Sequence, residues 1–361
     1  MSQEAYAVIM AGGKGERFWP LSTSKRPKQV LSLVGGKPLM QLAIERLEGL
    51  IPPERVIVVT NADIVDVTCE AAPDLPRENV IGEPFGRDTA AAVALASAIV
   101  KARDPDAVFC ILTADHVIGD NDLFLQTLRE GIEVAAAGDV LVTIGIQPAF
   151  ASTAFGYIES GDPVEHDGRI DFLRARRFVE KPDQPTAEKY LDAGTFCWNS
   201  GMFIWSVKSI QNAFSKFQPQ LLQMADTMES HAGAPDFIKC LADEYEKLER
   251  ISVDYAIMEK ADNILMARGT FNWGDVGSWD SLENYFDKDP SKNVMIGDGE
   301  VLEATGSIVV SEGRTTCLVG VDNLIVVQAE NATLVCHRDR AQDVKKMVQQ
   351  LRATGRHDHV L

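Results

Sequence analysis

The sequence predicts an α/β protein: a mostly parallel sheet with helices on both faces, followed by a small β-rich C-terminal unit. Three observations carry this. Apolar, strand-like runs alternate with helical patterns through the first half of the chain. The strand-like runs are apolar at nearly every position, as in strands buried on both faces, and strand–helix–strand repetition builds parallel sheets. From about residue 293 short β-rich segments are separated by Gly, Asp and Asn, a spacing that suits a β-solenoid or β-sandwich unit.

Tyr6–Met10 reads as the first strand and ends in a glycine-rich turn. Pro38–Leu50 has apolar residues at helical spacing (Leu39, Leu42, Ala43, Leu47) behind a proline that suits a helix start. Arg55–Thr60 is a β-branched strand. Asp88 or Thr89 caps an Ala-rich helix that runs to about Arg103. Ala107–Leu112 is a buried strand, Leu123–Ala137 a helix and Val140–Ile146 a strand. Strands follow at Arg176–Val179 and Met202–Val207, with helices at Ala187–Ala193, Val207–Phe217 and Val253–Lys260. The β-rich segments are Glu300–Ala304, Ser307–Val310, Thr315–Val319, Leu324–Gln328 and Thr333–Cys336, and a helix over Asp339–Ala353 closes the chain. The polar run Asp287-Lys-Asp-Pro-Ser-Lys-Asn293 divides residues 1–287 from residues 288–361.

With 361 residues the chain has room for two domains, and 45% hydrophobic with 24% charged residues is globular composition. The net charge of −18 disfavours extended polyanions, so neither nucleic acid nor an anionic membrane is expected as a partner. Six cysteines without a Cys-x-x-Cys pair argue against a zinc ribbon or redox motif; most lie in apolar runs and read as buried free thiols of a reducing compartment. The Met-Ser-Gln-Glu start does not look like a signal peptide. The longest nearly apolar stretch, Ala90–Val100, falls well short of the roughly 20 residues of a membrane-spanning helix. The expected location is the cytoplasm.

The local exception to the acidity is residues 14–28. Lys14, Arg17, Lys25, Arg26 and Lys28 accompany a single acid, Glu16, giving this segment +4 and leaving −22 elsewhere. It overlaps the turn Met10-Ala-Gly-Gly-Lys-Gly-Glu-Arg-Phe-Trp-Pro-Leu21, where Gly12, Gly13 and Gly15 permit positive φ and close backbone approach to a phosphate. Phe18 stands where a dinucleotide fingerprint has its third glycine, and no Gly-Lys-Ser/Thr follows for a Walker loop. A basic cluster beside a glycine turn at a strand's carboxyl end is where an α/β sheet places a polyphosphate.

Ala11-Gly-Gly-Lys-Gly-Glu-Arg-Phe-Trp-Pro-Leu21 with Arg26-Pro-Lys-Gln29 resembles the signature of the sugar-1-phosphate nucleotidylyltransferases, in the form found in mannose-1-phosphate guanylyltransferases. The resemblance continues through Glu83-Pro-Phe-Gly-Arg-Asp-Thr89, Ala114-Asp-His-Val-Ile118, Phe178-Val-Glu-Lys-Pro-Asp183, Trp198-Asn-Ser-Gly-Met-Phe203, Ser252-Val-Asp-Tyr-Ala-Ile-Met-Glu259 and Trp273-Gly-Asp-Val-Gly-Ser-Trp279, covering about residues 5–285. The C-terminal part resembles the family's β-helix-like extension less specifically. The fold implied is Rossmann-like, of the nucleotide-diphospho-sugar transferase type, with a catalytic domain over 1–287 and a β-helix-like extension over 288–361. This chain departs from the family pattern at Glu16 and Asp88, where Thr and Asn are frequent, and at Thr113, where Pro is frequent.

The resemblance implies transfer of GMP from GTP to mannose 1-phosphate, giving GDP-mannose and pyrophosphate. Arg17 and Lys28 would meet the triphosphate, Arg17 through its planar fork. Gly12, Gly13, Lys14 and Gly15 would cradle it, with Arg26 sharing this work or facing solvent. Asp115 ends the Ala107–Leu112 strand at the carboxyl edge and Asp275 lies in a Gly/Trp turn; two carboxylates plus phosphate oxygens make an octahedral Mg²⁺ site. His116 would pack beside Asp115. Lys181 would hold the sugar phosphate, Glu180 would accept from sugar hydroxyls, and Asn199 and Gly156 would border the sugar. Glu83 would pair with guanine N1–H and N2–H and Arg87 approach O6 or N7. Asp254 would cap or support the turn that carries Asp275, its role otherwise open. The rival readings are the same chemistry on another sugar or base, and a silent nucleotide-sugar-binding regulatory protein. The β-rich tail would either cover a second copy, making a homodimer, or pack on its own catalytic domain.

Overall fold

The computed structural model describes residues 4–361. The chain runs β1 (Ala5–Met10), α1 (Leu39–Glu45), β2 (Val56–Asn61), α2 (Val65–Ala71), β3 (Val80–Glu83), α3 (Thr89–Arg103), β4 (Val108–Thr113), β5 (His116–Ile118), α4 (Asn121–Ala137) and β6 (Leu141–Ile146). It continues with β7 (Tyr157–Val164), β8 (Phe172–Val179), α5 (Gln184–Ala193), β9 (Phe196–Ser206), α6 (Val207–Phe217), α7 (Pro219–Ser230), α8 (Phe237–Lys247), β10 (Ile264–Gly269) and β11 (Trp273–Asp275).

Nine of these strands form one sheet in the order β3-β2-β1-β4-β9-β6-β10-β8-β7. The first four pair in parallel, β9 inserts antiparallel between β4 and β6, and β10 lies parallel to β6 but antiparallel to β8. With β7 antiparallel to β8, only β8 and β9 run against the rest, so the mixed sheet is mostly parallel in direction. The short strands β5 and β11 pair outside it, His116 opposite Asp275.

Helices cover both faces. On one, α3 packs with α6, α7 and α8, and Ala90 through Val100 are all buried; small side chains let the neighbouring helix and sheet approach α3 closely. On the other face α1 and α4 close a second core around Met40, Leu47, Phe124 and Leu128. Asp88 caps α3 by accepting from the Thr89 N–H at 3.0 Å, with its own backbone in the left-handed half of φ (66°).

The C-terminal unit comprises β12 (Val294–Ile296), β13 (Gly299–Leu302), β14 (Ile308–Ser311), β15 (Thr316–Val319), β16 (Leu324–Gln328), β17 (Thr333–His337) and the helix α9 (Val344–Thr354). β12, β14 and β16 stack in parallel, with Val294 beside Ile308 beside Ile325, and β13 and β15 stack in parallel in a second sheet. Successive coils feeding alternate sheets make this a solenoid rather than a sandwich; β17 closes it antiparallel to β16. The division expected between residues 287 and 288 falls in an exposed stretch. One core nevertheless crosses it: Phe18, Trp19, Leu31, Trp279 and Leu282 pack with Val294, Ile308, Ile325, Val344 and Val348.

The structure corrects several local expectations. The helix expected over Val253–Lys260 is a single π-helical turn, Asp254–Met258. The Met202–Val207 strand is the end of the longer β9. The closing helix starts at Val344, after a 3₁₀ segment over Arg338–Asp343. Only Cys110 and Cys197 are buried, whereas Cys317 is exposed, because β15 turns alternate residues outward. Among the described residues no helix is long and apolar enough to cross a membrane.

Candidate active site

The glycine turn leaves β1 at the carboxyl edge of the sheet. The carbonyl of Ala11 accepts from the Gln29 side chain and from Thr60 Oγ1, which fixes the start of the turn. Gly13 (φ 126°) and Gly15 (φ 58°) have positive φ; Gly12 does not. A Cβ at Gly12 would make an ordinary 3.8 Å contact with Glu83 Oε2, so this glycine lies beside the Glu83 carboxyl. At Gly15 a Cβ would stand 2.5 Å from Lys28 Cβ, so the absent side chain lets Lys28 reach the site.

The Lys28 side chain is buried, and its ammonium donates to Asp115 Oδ2 at 2.8 Å and stands 3.9 Å from Asp275 Oδ1. The β5–β11 pairing brings the two carboxylates together, as it sets the residue after Asp115 opposite Asp275. Candidate ligand atoms of Asp115, His116 and Asp275 all lie within 4.8 Å of one another. Burial pushes the Asp115 carboxyl up, but the Lys28 ammonium, His116 and a backbone hydrogen bond together outweigh it and hold the group below the usual carboxylate range. Burial likewise holds the His116 imidazole down, against the pull of both aspartates. His116 Nδ1 accepts from Trp273 Nε1 at 3.2 Å, and the two rings meet edge to face, so the histidine packs beside Asp115 as the sequence suggested.

Arg17 donates to the Gly277 carbonyl at 2.9 Å, tying the glycine loop to the turn that carries Asp275. Gly12, Gly13, Lys14, Gly15, Arg17, Lys28, Asp115 and Asp275 thus line one cleft of about 240 Å³. Arg26 is turned away, forming two hydrogen bonds of 3.2 Å with Glu312 of the extension. The motifs do not point to Arg46, whose half-buried guanidinium donates to the His116 carbonyl at 2.9 Å and braces the segment after Asp115.

Glu83 ends β3, buried, and accepts from the Tyr245 hydroxyl at 3.1 Å. Burial pushes its carboxyl up to about 7, with the nearby Asp88 adding to the effect and the Tyr245 hydrogen bond opposing it. Arg87 is held elsewhere: its guanidinium donates to the carbonyls of Tyr245 (2.8 Å) and Glu246 (3.3 Å) and lies 4.8 Å over the Phe85 ring.

A second group gathers where β7, β8 and β9 meet. Lys181 Nζ donates to Glu180 Oε1 at 2.5 Å, and Lys181 has φ 44°, strain of the kind concentrated at binding sites. A Cβ at Gly156 would lie 2.6 Å from Glu180 Oε2, and the Gly156 carbonyl accepts from the Asn199 N–H at 2.8 Å. The Asn199 amide donates to Asp254 Oδ1 at 3.1 Å while its oxygen accepts from the Gly201 N–H. Asp254 therefore belongs to this group and not to the Asp275 turn. Burial, reinforced by Glu180, pushes the Asp254 carboxyl up to about 6. Burial disfavours the Lys181 ammonium, but Glu180 reverses that and raises it. The aromatic contacts Phe155–Trp198 and Phe155–Trp273 join the strand that carries Asn199 to the strand that carries Asp275.

A family profile described as nucleotidyl transferase matches residues 6–292, and one described as a mannose-phosphate isomerase/GMP-like β-helix domain matches residues 299–351. A mannose-1-phosphate guanylyltransferase of Escherichia coli K12 is 38% identical over 360 residues, 98% of this chain and 75% of that protein. Another, RfbM of Salmonella typhimurium LT2, is 37% identical over 98% of this chain and 73% of its own length. The crystal structure of a Thermus thermophilus protein described as a mannose-1-phosphate geranyltransferase superposes with a TM-score of 0.86 at 32% identity, covering 97% of this chain and all of the other. The chain belongs to the nucleotidyl transferase family, in its mannose-1-phosphate guanylyltransferase group.

Proposed function

We propose that the protein transfers GMP from GTP to mannose 1-phosphate, forming GDP-mannose and releasing pyrophosphate. The observation that carries this reading is the convergence of the glycine loop, Arg17 and Lys28 on the Asp115–Asp275 carboxylate pair, joined to relatives named for that activity.

An oxygen of the sugar phosphate attacks the α-phosphorus of GTP, the bond to the β-phosphate oxygen breaks, and pyrophosphate leaves with that electron pair. The attacking phosphate has a second pKa of roughly 6, so near neutrality it is largely dianionic and needs no side-chain base. The protein's task is to hold two anions in line and offset the charge between them.

Backbone N–H groups of Gly12–Gly15 and the Lys14 ammonium would cradle the triphosphate. Arg17 would leave or share its Gly277 carbonyl contact to fork onto phosphate oxygens. Asp115 and Asp275 would hold a Mg²⁺, which when bound supplies Lewis-acid neutralisation of phosphate charge. The fit is supported by the donor set, hard carboxylate oxygens already gathered around a cation, the Lys28 ammonium. With Asp115 and Asp275 engaged in holding the metal, Lys28 would turn from the carboxylates to the phosphates.

Lys181 would hold the sugar phosphate, with Glu180 and Asp254 accepting from sugar hydroxyls. Gly156 leaves the ring room beside Glu180, and Asn199 orients Asp254 while its remaining amide hydrogen can reach the sugar. Ionised Glu83 would accept from guanine N1–H and N2–H, donors that adenine lacks in that arrangement. Arg87 would reach O6 or N7 only by releasing the α8 carbonyls. Pyrophosphate release measured with each nucleoside triphosphate against a panel of sugar 1-phosphates, with and without Mg²⁺, tests the reading. GTP with mannose 1-phosphate should lead; preference for UTP or dTTP would defeat the guanylyl assignment.

A further inference from the structure

The helix α9 of the C-terminal extension brings a cation to the phosphate cleft that the preceding chemistry does not use. Lys345, in its first turn, lines the same cleft as the glycine loop, Lys28 and Asp115. Among the described residues no carboxylate pairs with Lys345. The adjacent Lys346, by contrast, pairs with Asp343 at 2.7 Å and does not line the cleft.

Several contacts fix the position of α9. Val344 and Val348 are buried in the core shared with the catalytic part. Arg352 Nη1 donates to Glu16 Oε1, in the glycine loop, at 2.9 Å. Gln342 donates to Ser278 Oγ at 2.8 Å, and Trp19 Nε1 to the Val360 carbonyl at 2.8 Å. The extension therefore grips both the glycine loop and the turn after Asp275. The Glu16–Arg352 pair also accounts for an acid at a phosphate-binding loop, because Arg352 offsets its charge.

Charge shows why a further cation matters. With Glu16 offset by Arg352, the cleft sets three cations, Lys14, Arg17 and Lys28, against two carboxylates, Asp115 and Asp275. Lys345 raises that excess from one positive charge to two, which favours a polyanion. The cleft is bordered by the glycine loop and by none of Glu180, Lys181 or Asn199, which directs Lys345 to the nucleotide's phosphates rather than to the sugar phosphate.

We propose that Lys345 completes the active site from the C-terminal extension by contacting the β- and γ-phosphates of the nucleotide, and hence the pyrophosphate that leaves. This rests on the reading of the cleft as a nucleotidyl transfer site. As a flexible point charge, Lys345 neutralises charge on the leaving group without needing a fixed bidentate geometry.

The test is calorimetric titration of the full chain with inorganic pyrophosphate for wild type, Lys345→Ala, Lys345→Arg and Lys346→Ala, with the KM for pyrophosphate in the reverse reaction. One charge-assisted contact predicts about tenfold weaker pyrophosphate binding in Lys345→Ala. Lys345→Arg and Lys346→Ala should stay within about twofold, since the first keeps the charge and the second lies outside the cleft. Mannose 1-phosphate binding should not change. Pyrophosphate binding that is unchanged in Lys345→Ala, equally weakened in Lys346→Ala, or absent from the wild type overturns the inference. Wild-type protein that binds pyrophosphate through Lys345 yet turns over no GTP with any sugar 1-phosphate would instead overturn the proposed function and leave the phosphate contact standing.

Discussion

The Tyr245 hydroxyl donates to Glu83 Oε1 at 3.1 Å, tying a helix to the end of a sheet strand 162 residues earlier. That hydrogen bond holds a buried carboxyl beside Gly12 of the phosphate loop, where burial pushes it up to about 7. Folding therefore takes up a proton at Glu83. The stability this contributes is fully present below the ordinary glutamate value of about 4.3 and is lost as pH rises through 7. Glu83→Gln removes the dependence, so its stability relative to wild type should rise between pH 5 and pH 8 in denaturant titrations. A constant difference across that window would contradict the assigned environment.

The same group predicts a pH dependence of nucleotide use. Guanine N1–H and N2–H need an ionised acceptor, so the KM for GTP should fall as pH rises from about 6 to 8, through the ionisation of Glu83. In Glu83→Gln that trend should vanish and the KM should be high throughout. Steady-state kinetics at fixed sugar phosphate would read both; an unaltered trend in the variant would assign it to another group.

Asp115 and Asp275 face each other only because the β5–β11 pairing closes a two-strand ribbon outside the main sheet. If they hold the metal, Asp115→Asn and Asp275→Asn should each lower turnover at least about tenfold, with the fold intact by circular dichroism. Full wild-type rates in both variants would remove the metal role.

At the sugar end, Gly156 and Lys181 make separable predictions. A methyl at Gly156 would press on Glu180 Oε2, so Gly156→Ala should lower kcat/KM for the sugar phosphate. Lys181→Ala should raise the sugar-phosphate KM about tenfold while the GTP KM stays within about twofold. Equal effects on both substrates would place Lys181 elsewhere.

The buried parallel strands and the motifs at their carboxyl ends were legible in the sequence, because apolar runs and glycine turns are local signals. The strands β1, β4 and β6 and the Ala-rich α3 lie where their patterns predict them. Long-range pairings left no such signal. β10 takes its partners β6 and β8 from far back along the chain, and β7, although it pairs with the next strand β8, carries Gly161 and Pro163, so it does not read as a strand. Helix α7 did leave a trace, Pro219 at its start with Leu221, Met224, Ala225 and Met228 at helical spacing.

The site followed the same division. Lys28, Asp115 and Asp275 were identifiable from motifs, but the 2.8 Å Lys28–Asp115 contact depends on Gly15 lacking a side chain. Sequence proximity groups Arg26 with the loop cations, yet the extension's Glu312 draws it away. Tyr245, Arg46 and Lys345 belong to no glycine or carboxylate motif; only the fold sets Tyr245 against Glu83, Arg46 against the His116 carbonyl and Lys345 in the cleft. The extension was expected either to cover a second copy or to pack on its own catalytic domain; its core residues Ile308 and Val348 pack with Phe18 and Trp279 of the same chain.

The proposed reaction joins GTP to mannose 1-phosphate at the cleft of Lys28 and Asp115. The most direct measurement is pyrophosphate released by the full chain from GTP and mannose 1-phosphate with Mg²⁺, together with GDP-mannose formed in equal amount. Stoichiometric pyrophosphate and GDP-mannose, abolished by Asp115→Asn, is the predicted result. No pyrophosphate from any pairing of nucleoside triphosphate and sugar 1-phosphate would contradict it.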